Sequence, residues 1–243
     1  MPNPTAAMLV IGDEILSGRT RDANMHHLAS ELAKVGIDLK EVRIVADDED
    51  AIVGAVNALR SAFDQVFTSG GIGPTHDDIT ADCVARAFGL PLEVREDARA
   101  ILEAHYKPRG IGMNAARLRM ARIPDGAELI ENPVSAAPGF SLGNVHVMAG
   151  VPAIFQAMVA SVLPGLTGGA PLVSATVRVE LPEGEIAGPL AQLAEAYPQI
   201  SIGSYPYIQD GKFGANIVFR GTEPDSITAA AGKLRAMFPK AAS

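Results

Sequence analysis

Three short apolar runs, each closed by a loop of glycine or acidic residues and followed by a helical stretch, fill residues 8–89 and leave few folds open. Met8 to Ile11 is continuously apolar and stops at Gly12, the pattern of a strand buried on both faces of a parallel sheet. After Asp22 and Asn24, both capping residues, Met25, Leu28, Ala29, Leu32 and Val35 recur at helical spacing, and Gly36 supplies the stop. Ile37 to Val45 reads as a second strand ending at Ala46-Asp47, and the helix after it carries Ile52, Val53, Val56, Leu59 and Phe63. Val66 and Phe67 make a third strand that runs into Ser69-Gly70-Gly71-Ile72-Gly73-Pro74-Thr75, with a helix from about Asp78 to Gly89 behind it. The order βαβαβα predicts a mostly parallel sheet with right-handed crossovers.

Further along, Glu93 to Ala104 and Asn114 to Arg122 read as helices, and Glu128 to Ile130, Gly139 to Leu142 and Val145 to Met148 as short strands. Pro152 to Leu163 reads as a closing helix. Pro164 to Pro171, punctuated by Gly and Pro without apolar periodicity, is the best linker, so we expect one domain over 1–168 and another over 172–243. The second reads as βαββα: a strand from Val173 to Leu181, a helix from Glu185 to Tyr197, strands from Ile200 to Gln209 and Phe213 to Arg220 around Asp210-Gly211, and a helix from Ser226 to Phe238. Gly211-Lys212-Phe213-Gly214 has the letters of an RNA-clamping GXXG loop but lies between strands, where a hairpin turn is expected.

Composition narrows the class of function. With 48% hydrophobic and 20% charged residues the chain is an ordinary globular one. Its net charge of −8 argues against a broad nucleic-acid surface, which needs clustered Lys and Arg. The single Cys83 cannot form an internal disulfide and reads as a small buried residue, in keeping with a reducing compartment. The run Ala6 to Ile11 is cut by Gly12, Asp13 and Glu14, and Val145 to Leu166 is too polar for a membrane helix. A cytoplasmic protein without membrane segments is the expectation.

Ligands of open parallel sheets sit beyond the carboxyl ends of the strands, and here all three post-strand loops carry acids: Asp13 and Glu14, then Asp47, then Asp77 and Asp78. Two carboxylates about 5 Å apart repel by roughly 3 kcal/mol at an effective dielectric near 20, so a cation or a proton is expected among them. Hard oxygen ligands suit Mg²⁺ or Mn²⁺, completed by water and substrate phosphate. The competing reading is that these acids cap the following helices. The glycine-rich turn supplies backbone N–H groups and a helix N-terminus for phosphate, but it is neither a P-loop nor a Rossmann fingerprint. His76 sits inside that loop, where it has the chemistry to donate to an anion or act as a general acid.

Gly12-Asp13-Glu14-Ile15-Leu16-Ser17-Gly18, Asp22-Ala23-Asn24, Ala46-Asp47-Asp48, Ser69-Gly70-Gly71-Ile72-Gly73-Pro74-Thr75-His76-Asp77-Asp78-Ile79-Thr80, Asn132-Pro133 and Ala137-Pro138-Gly139-Phe140 occur in one order along the chain. In these motifs the sequence resembles the MoaB/Mog molybdopterin-binding family, and more closely the N-terminal part of the CinA (competence/damage-inducible protein A) family. The resemblance implies a three-layer α/β domain with a mostly parallel sheet, followed by a small KH-like α+β domain; the amidase domain that ends CinA-type proteins has no room before Ser243 and is not expected. It implies that Asp47 and Asp78 do metal-assisted chemistry, with Asp13, Glu14 and Asp77 as further metal ligands. Gly12, Gly70, Gly71, Gly73, Thr75, His76, Asn132, Pro138 and Gly139 would contact substrate or phosphate. The implied activity is divalent-metal-dependent hydrolysis of a nucleotide pyrophosphate such as ADP-ribose, with Mg²⁺, Mn²⁺ or Co²⁺ and with K⁺ as a further ion. Molybdopterin adenylylation, and non-catalytic binding of a pterin or nucleotide, are the alternatives. Relatives of this fold form dimers or trimers, so a homo-oligomer is expected. The chain departs from the family's pattern at Ala136, where a hydroxyl is lost, and at Ala149, where a proline is lost.

Overall fold

A computed structural model describes residues 2–209 and 211–239. The contacts divide the chain into two compact units, one through Gly169 and one from Ala170.

The first unit is built on a six-stranded sheet. β1 (Thr5–Ile11) is central, flanked by β2 (Asp38–Val45) and β3 (Gln65–Ser69), and the sheet continues through β8 (Val145–Met148), β7 (Gly139–Leu142) and β6 (Glu128–Ile130) in the order β2-β1-β3-β8-β7-β6. The β2, β1, β3 and β8 pairings are parallel, and β7 and β6 add antiparallel. The mostly parallel α/β sheet expected from the alternating pattern is therefore present. β1 is apolar throughout because both of its faces are buried. Ala7, Leu9 and Ile11 pack with Ile52, Val56 and Leu59 of α3 (Glu49–Ala62) and Cys83 and Val84 of α4 (Thr80–Phe88). Ala6, Met8 and Val10 pack on the other face with Leu28 and Leu32 of α2 (Asn24–Lys34) and Phe155, Met158 and Val159 of α7 (Pro152–Val162). Helix, sheet and helix make three layers. α1 (Asp13–Leu16) is a single turn directly after β1.

Between α4 and β6 the structure departs from the sequence reading. Leu92–Val94 is a strand, β4, antiparallel to β5 (Arg122–Pro124), so the helices expected from Glu93 and to Arg122 are shortened to α5 (Glu96–Tyr106) and α6 (Ala115–Arg119). A three-residue strand has too few positions to display a period of two, which is why it was hidden. The linker expectation also changes in part. Leu163–Gly165 is a 3-10 turn, and Gly168 and Gly169 are seated on the turn after α2, with Gly169 N–H donating to the carbonyls of Val35 (3.2 Å) and Gly36 (3.0 Å). A side chain at Gly168 would collide with the Val35 carbonyl, so glycine here serves close packing rather than looseness.

The second unit holds β9 (Val173–Val179), α8 (Glu183–Ala196), β10 (Ser201–Gln209), β11 (Lys212–Gly221) and α9 (Pro224–Met237). The strands form an antiparallel sheet in the order β10-β11-β9. Val177, Val179, Ala215, Ile217 and Phe219 form its buried face, with Ile186, Leu193, Ile227 and Leu234 of the two helices packed on it. The GXXG letters belong to the β10–β11 hairpin, as expected of a turn; its Asp210 lies outside the described residues. No helix among the described residues is long and apolar enough to cross a membrane.

Candidate active site

In the order β2-β1-β3 the chain leaves β1 toward one side and returns to the other, so the loops after β1 and β3 diverge and open a crevice between them. A cavity of about 650 Å³ lies there. Ile11, Gly12, Glu14 and Asp47 line it from the ends of β1 and β2, and Gly70 to Pro74, Asp77 and Asp78 from the loop after β3. Asn132, Ser135 and Ala137, then Ala149 to Pro152 and Ile154, contribute from the strands beyond, with Tyr106 and Met120 from the α5–α6 region.

The glycines of the third loop have separate reasons. Gly70 adopts φ 111° and a side chain there would strike the Ile11 carbonyl; Gly71 adopts φ 69° and would strike the Thr80 hydroxyl. The Gly70 N–H is already bonded to the Met148 carbonyl at 3.1 Å, so Gly70 shapes the turn without donating to a ligand. Thr80 closes the loop from below, its N–H on Gly71 O (2.9 Å) and its hydroxyl on Gly70 O (2.9 Å). The N–H groups of Gly71, Ile72 and Gly73 have no partner among the described residues. They are the available anion donors, just before the N-terminus of α4.

Asp47 and Asp48 divide the work that the sequence left ambiguous. Asp48 caps α3, accepting from Ala51 N–H at 2.8 Å. Asp47 instead lines the cavity and accepts from Asp13 N–H at 3.0 Å. Burial raises its carboxyl above the usual 3.8, the Asp13 N–H opposes this, and the charges of Asp13, Glu14 and Asp77 raise it further. The three acidic loops thus act on one another electrostatically. Asp78 does not cap α4; its Oδ2 accepts from Thr75 N–H (2.8 Å) and the Thr75 hydroxyl. Arg119 of α6 grips the Asp78 carbonyl from outside with Nη2 (2.8 Å) and Nε (3.2 Å), a cation supplied by a distant element. Asp77 is exposed, its side chain 62% so, with His76 Nδ1 at 3.8 Å.

Several expected contacts take other roles. The Asp13 side chain and Thr75 lie outside the cavity wall, Thr75 being tied to Asp78, and the His76 side chain is 99% exposed beside Asp77. Pro138 borders a smaller neighbouring opening, and Gly139 lies in β7, where a side chain would collide with the Val147 carbonyl. Asn132 lines the cavity but is committed: Nδ2 donates to Ser135 Oγ and Ala137 O (2.7 Å each), and Oδ1 accepts from Val134 and Ser135 N–H (3.1 Å each). Among the described residues no three His, Cys, Asp or Glu side chains are grouped to hold a metal ion, so the five acids are not one ligand sphere. Four carboxylates still line the cavity, and such a set fits a hard cation that takes one or two protein ligands and completes its shell with phosphate and water.

Sequence reasoning missed Tyr106, Met120 and Ile154 as cavity residues, because nothing local marks an apolar wall residue as facing a ligand rather than the core. Asn24, expected as a candidate helix cap, makes no cap bond with its side chain. It is buried at the start of α2, where Nδ2 bonds Ser69 Oγ (2.8 Å) and Gly150 O (2.7 Å), joining the end of β3 to the loop after β8.

The probable molybdopterin binding domain family matches residues 7–168. CinA from Thermoplasma acidophilum, a solved protein of unknown function, is 34% identical with a TM-score of 0.62, covering 67% of this chain and 97% of its own. The chain belongs to the molybdopterin-binding domain family, on its CinA side. Residues 171–243 match the middle domain of FAD synthase, and KH-like stays an expectation for the second unit. Two curated relatives in the family are longer. A CinA-like protein of Myxococcus xanthus is 35% identical, covering 81% of this chain and 50% of its own length. A probable FAD synthase of Caenorhabditis elegans is 30% identical, covering 95% of this chain and 49% of its own. The chain spans about half of each.

Proposed function

We propose that the first unit hydrolyses a phosphoanhydride in a nucleotide such as ADP-ribose, releasing AMP. The observation that carries this reading is the meeting, in one cavity, of uncommitted N–H groups from Gly71, Ile72 and Gly73 with the carboxylates of Glu14, Asp47, Asp77 and Asp78. The N–H groups and the α4 N-terminus hold the diphosphate. Tyr106, Met120 and Ile154 give an apolar wall for the attached ring or sugar. Asp47, fixed by the Asp13 N–H and raised in pKa, accepts a proton from the attacking water as the new P–O bond forms and the bridging P–O bond breaks. Asp78 with Glu14 or Asp77 would hold a divalent cation, which would supply charge neutralisation at the phosphoryl oxygens.

The test is a panel of ADP-ribose, FAD and related diphosphates with Mg²⁺, Mn²⁺, Co²⁺ and added K⁺, the products identified by mass. FAD is included because of the relative named as a probable FAD synthase. Metal-dependent AMP release, lowered at least tenfold by Asp47→Asn or Asp78→Asn with the fold intact, is the expected result. Full turnover in both variants overturns the assignment of these acids. Binding without turnover overturns hydrolysis altogether. The family's description supports pterin binding, and adenylylation of molybdopterin is the second reading, which the same mass analysis detects when ATP and the pterin are supplied.

A further inference from the structure

The second unit's sheet has two unlike faces. One is covered by α8 and α9. On the other, register places Ser201, Gly203, Tyr205 and Tyr207 of β10 beside Arg220, Val218, Asn216 and Gly214 of β11, and these beside Ser174, Thr176 and Arg178 of β9. Tyrosines and arginines on such a face are not there to fill a core.

Their arrangement is specific. The Tyr205 ring packs against Gly203, so close that a Cβ there would stand 2.9 Å from it, and Tyr205 remains 48% exposed. Tyr207 lies over Gly214, which any side chain would displace. The Arg178 guanidinium then stacks on Tyr207 at 4.3 Å from the ring centre, donates to its hydroxyl at 2.6 Å and to Gln209 Oε1 at 2.8 Å, and stays 39% exposed. A half-exposed phenol ring and a braced, partly exposed guanidinium thereby share one face of the sheet. Asn216 lies in register between Tyr205 and Arg178 with an amide suited to a base edge, and Arg220 is exposed at the end of the face.

We propose that this sheet face binds single-stranded nucleic acid, stacking bases on Tyr205 and on the Arg178 guanidinium, with Arg220 toward the backbone phosphates. The proposal is independent of the cavity chemistry. Within a chain of net charge −8, Arg178 and Arg220 are the cations this face offers to the backbone phosphates, so binding is expected to weaken as salt rises.

The experiment is fluorescence anisotropy of a short labelled single-stranded RNA with the full chain at low salt. A duplex of the same sequence and free AMP serve as competitors. The chain has no tryptophan and four tyrosines, so quenching of intrinsic tyrosine emission is a second readout. The single strand is expected to bind with tyrosine quenching, to be weakened at least about fivefold by Tyr205→Ala, and to keep its affinity with Tyr205→Phe. Arg178→Ala is expected to weaken it as well, while turnover in the cavity is unchanged by all three. Absence of binding, binding indifferent to Tyr205→Ala and Arg178→Ala, or equal competition by duplex or by free AMP would each overturn the proposal.

Discussion

Asp48 holds the first turn of α3 through Ala51 N–H, while its neighbour Asp47 turns to the cavity. The two are therefore separable by mutation. Asp48→Ala is expected to lower stability by about 1 kcal/mol, the ordinary cost of an N-cap, and to leave ligand chemistry alone, whereas Asp47→Asn does the reverse. Urea denaturation set beside a turnover assay reads both quantities. Ala136 is the only non-glycine residue with positive φ among the described residues, at 65°. A left-handed alanine costs about 1–2 kcal/mol, and glycine gives back about 0.5–1 in backbone entropy, so Ala136→Gly should stabilise the fold by about 0.5–1 kcal/mol. A midpoint that falls instead would show that this turn draws support from the alanine methyl group.

At the scale of elements, the crevice exists because three of them are tied at one point. Asn24 of α2 bonds Ser69 at the end of β3 and Gly150 before α7, leaving its own Oδ1 buried and unpaired. Asn24→Ala would strip the buried Ser69 hydroxyl and the Gly150 carbonyl of a donor, and a loss of about 1–3 kcal/mol in chemical denaturation is expected. A smaller loss would mean that water replaces the amide. The same elements explain what was legible beforehand. The βαβαβα order, the glycine turn and the acids after each strand could be read because apolar runs, helical spacing and glycine are local signals. β4 and β5 could not, since each exists only by pairing with the other across 27 intervening residues between Val94 and Arg122. The division of Asp47 from Asp48, and the locking of Thr75 on Asp78, depend on χ angles that spacing does not encode. Tyr106 and Met120 reach the cavity only through long-range packing.

For the whole molecule, acid stability turns on a buried histidine. His146 in β8 donates from Nε2 to Gln65 Oε1 and accepts at Nδ1 from the Ser141 hydroxyl, 2.8 Å each, and burial pushes its pKa down to about 4 from 6.5. Below pH 6.5 the unfolded chain takes up a proton that the folded chain refuses until about pH 4. Stability is thus complete above pH 6.5 and falls on acidification toward 4, by on the order of 3 kcal/mol. Denaturation midpoints measured across that window should show the slope, and His146→Gln should flatten it; an unchanged slope would assign acid sensitivity to other groups.

Cys83, sealed in the core with its thiol pushed up to about 12, is chemically silent at neutral pH, and the chain carries no other cysteine. The native background is therefore already suited to site-directed labelling. Val151→Cys, at a rim position 57% exposed, would accept a single dye or spin label beside the cavity mouth, and ligand entry could be followed there without first removing a native thiol.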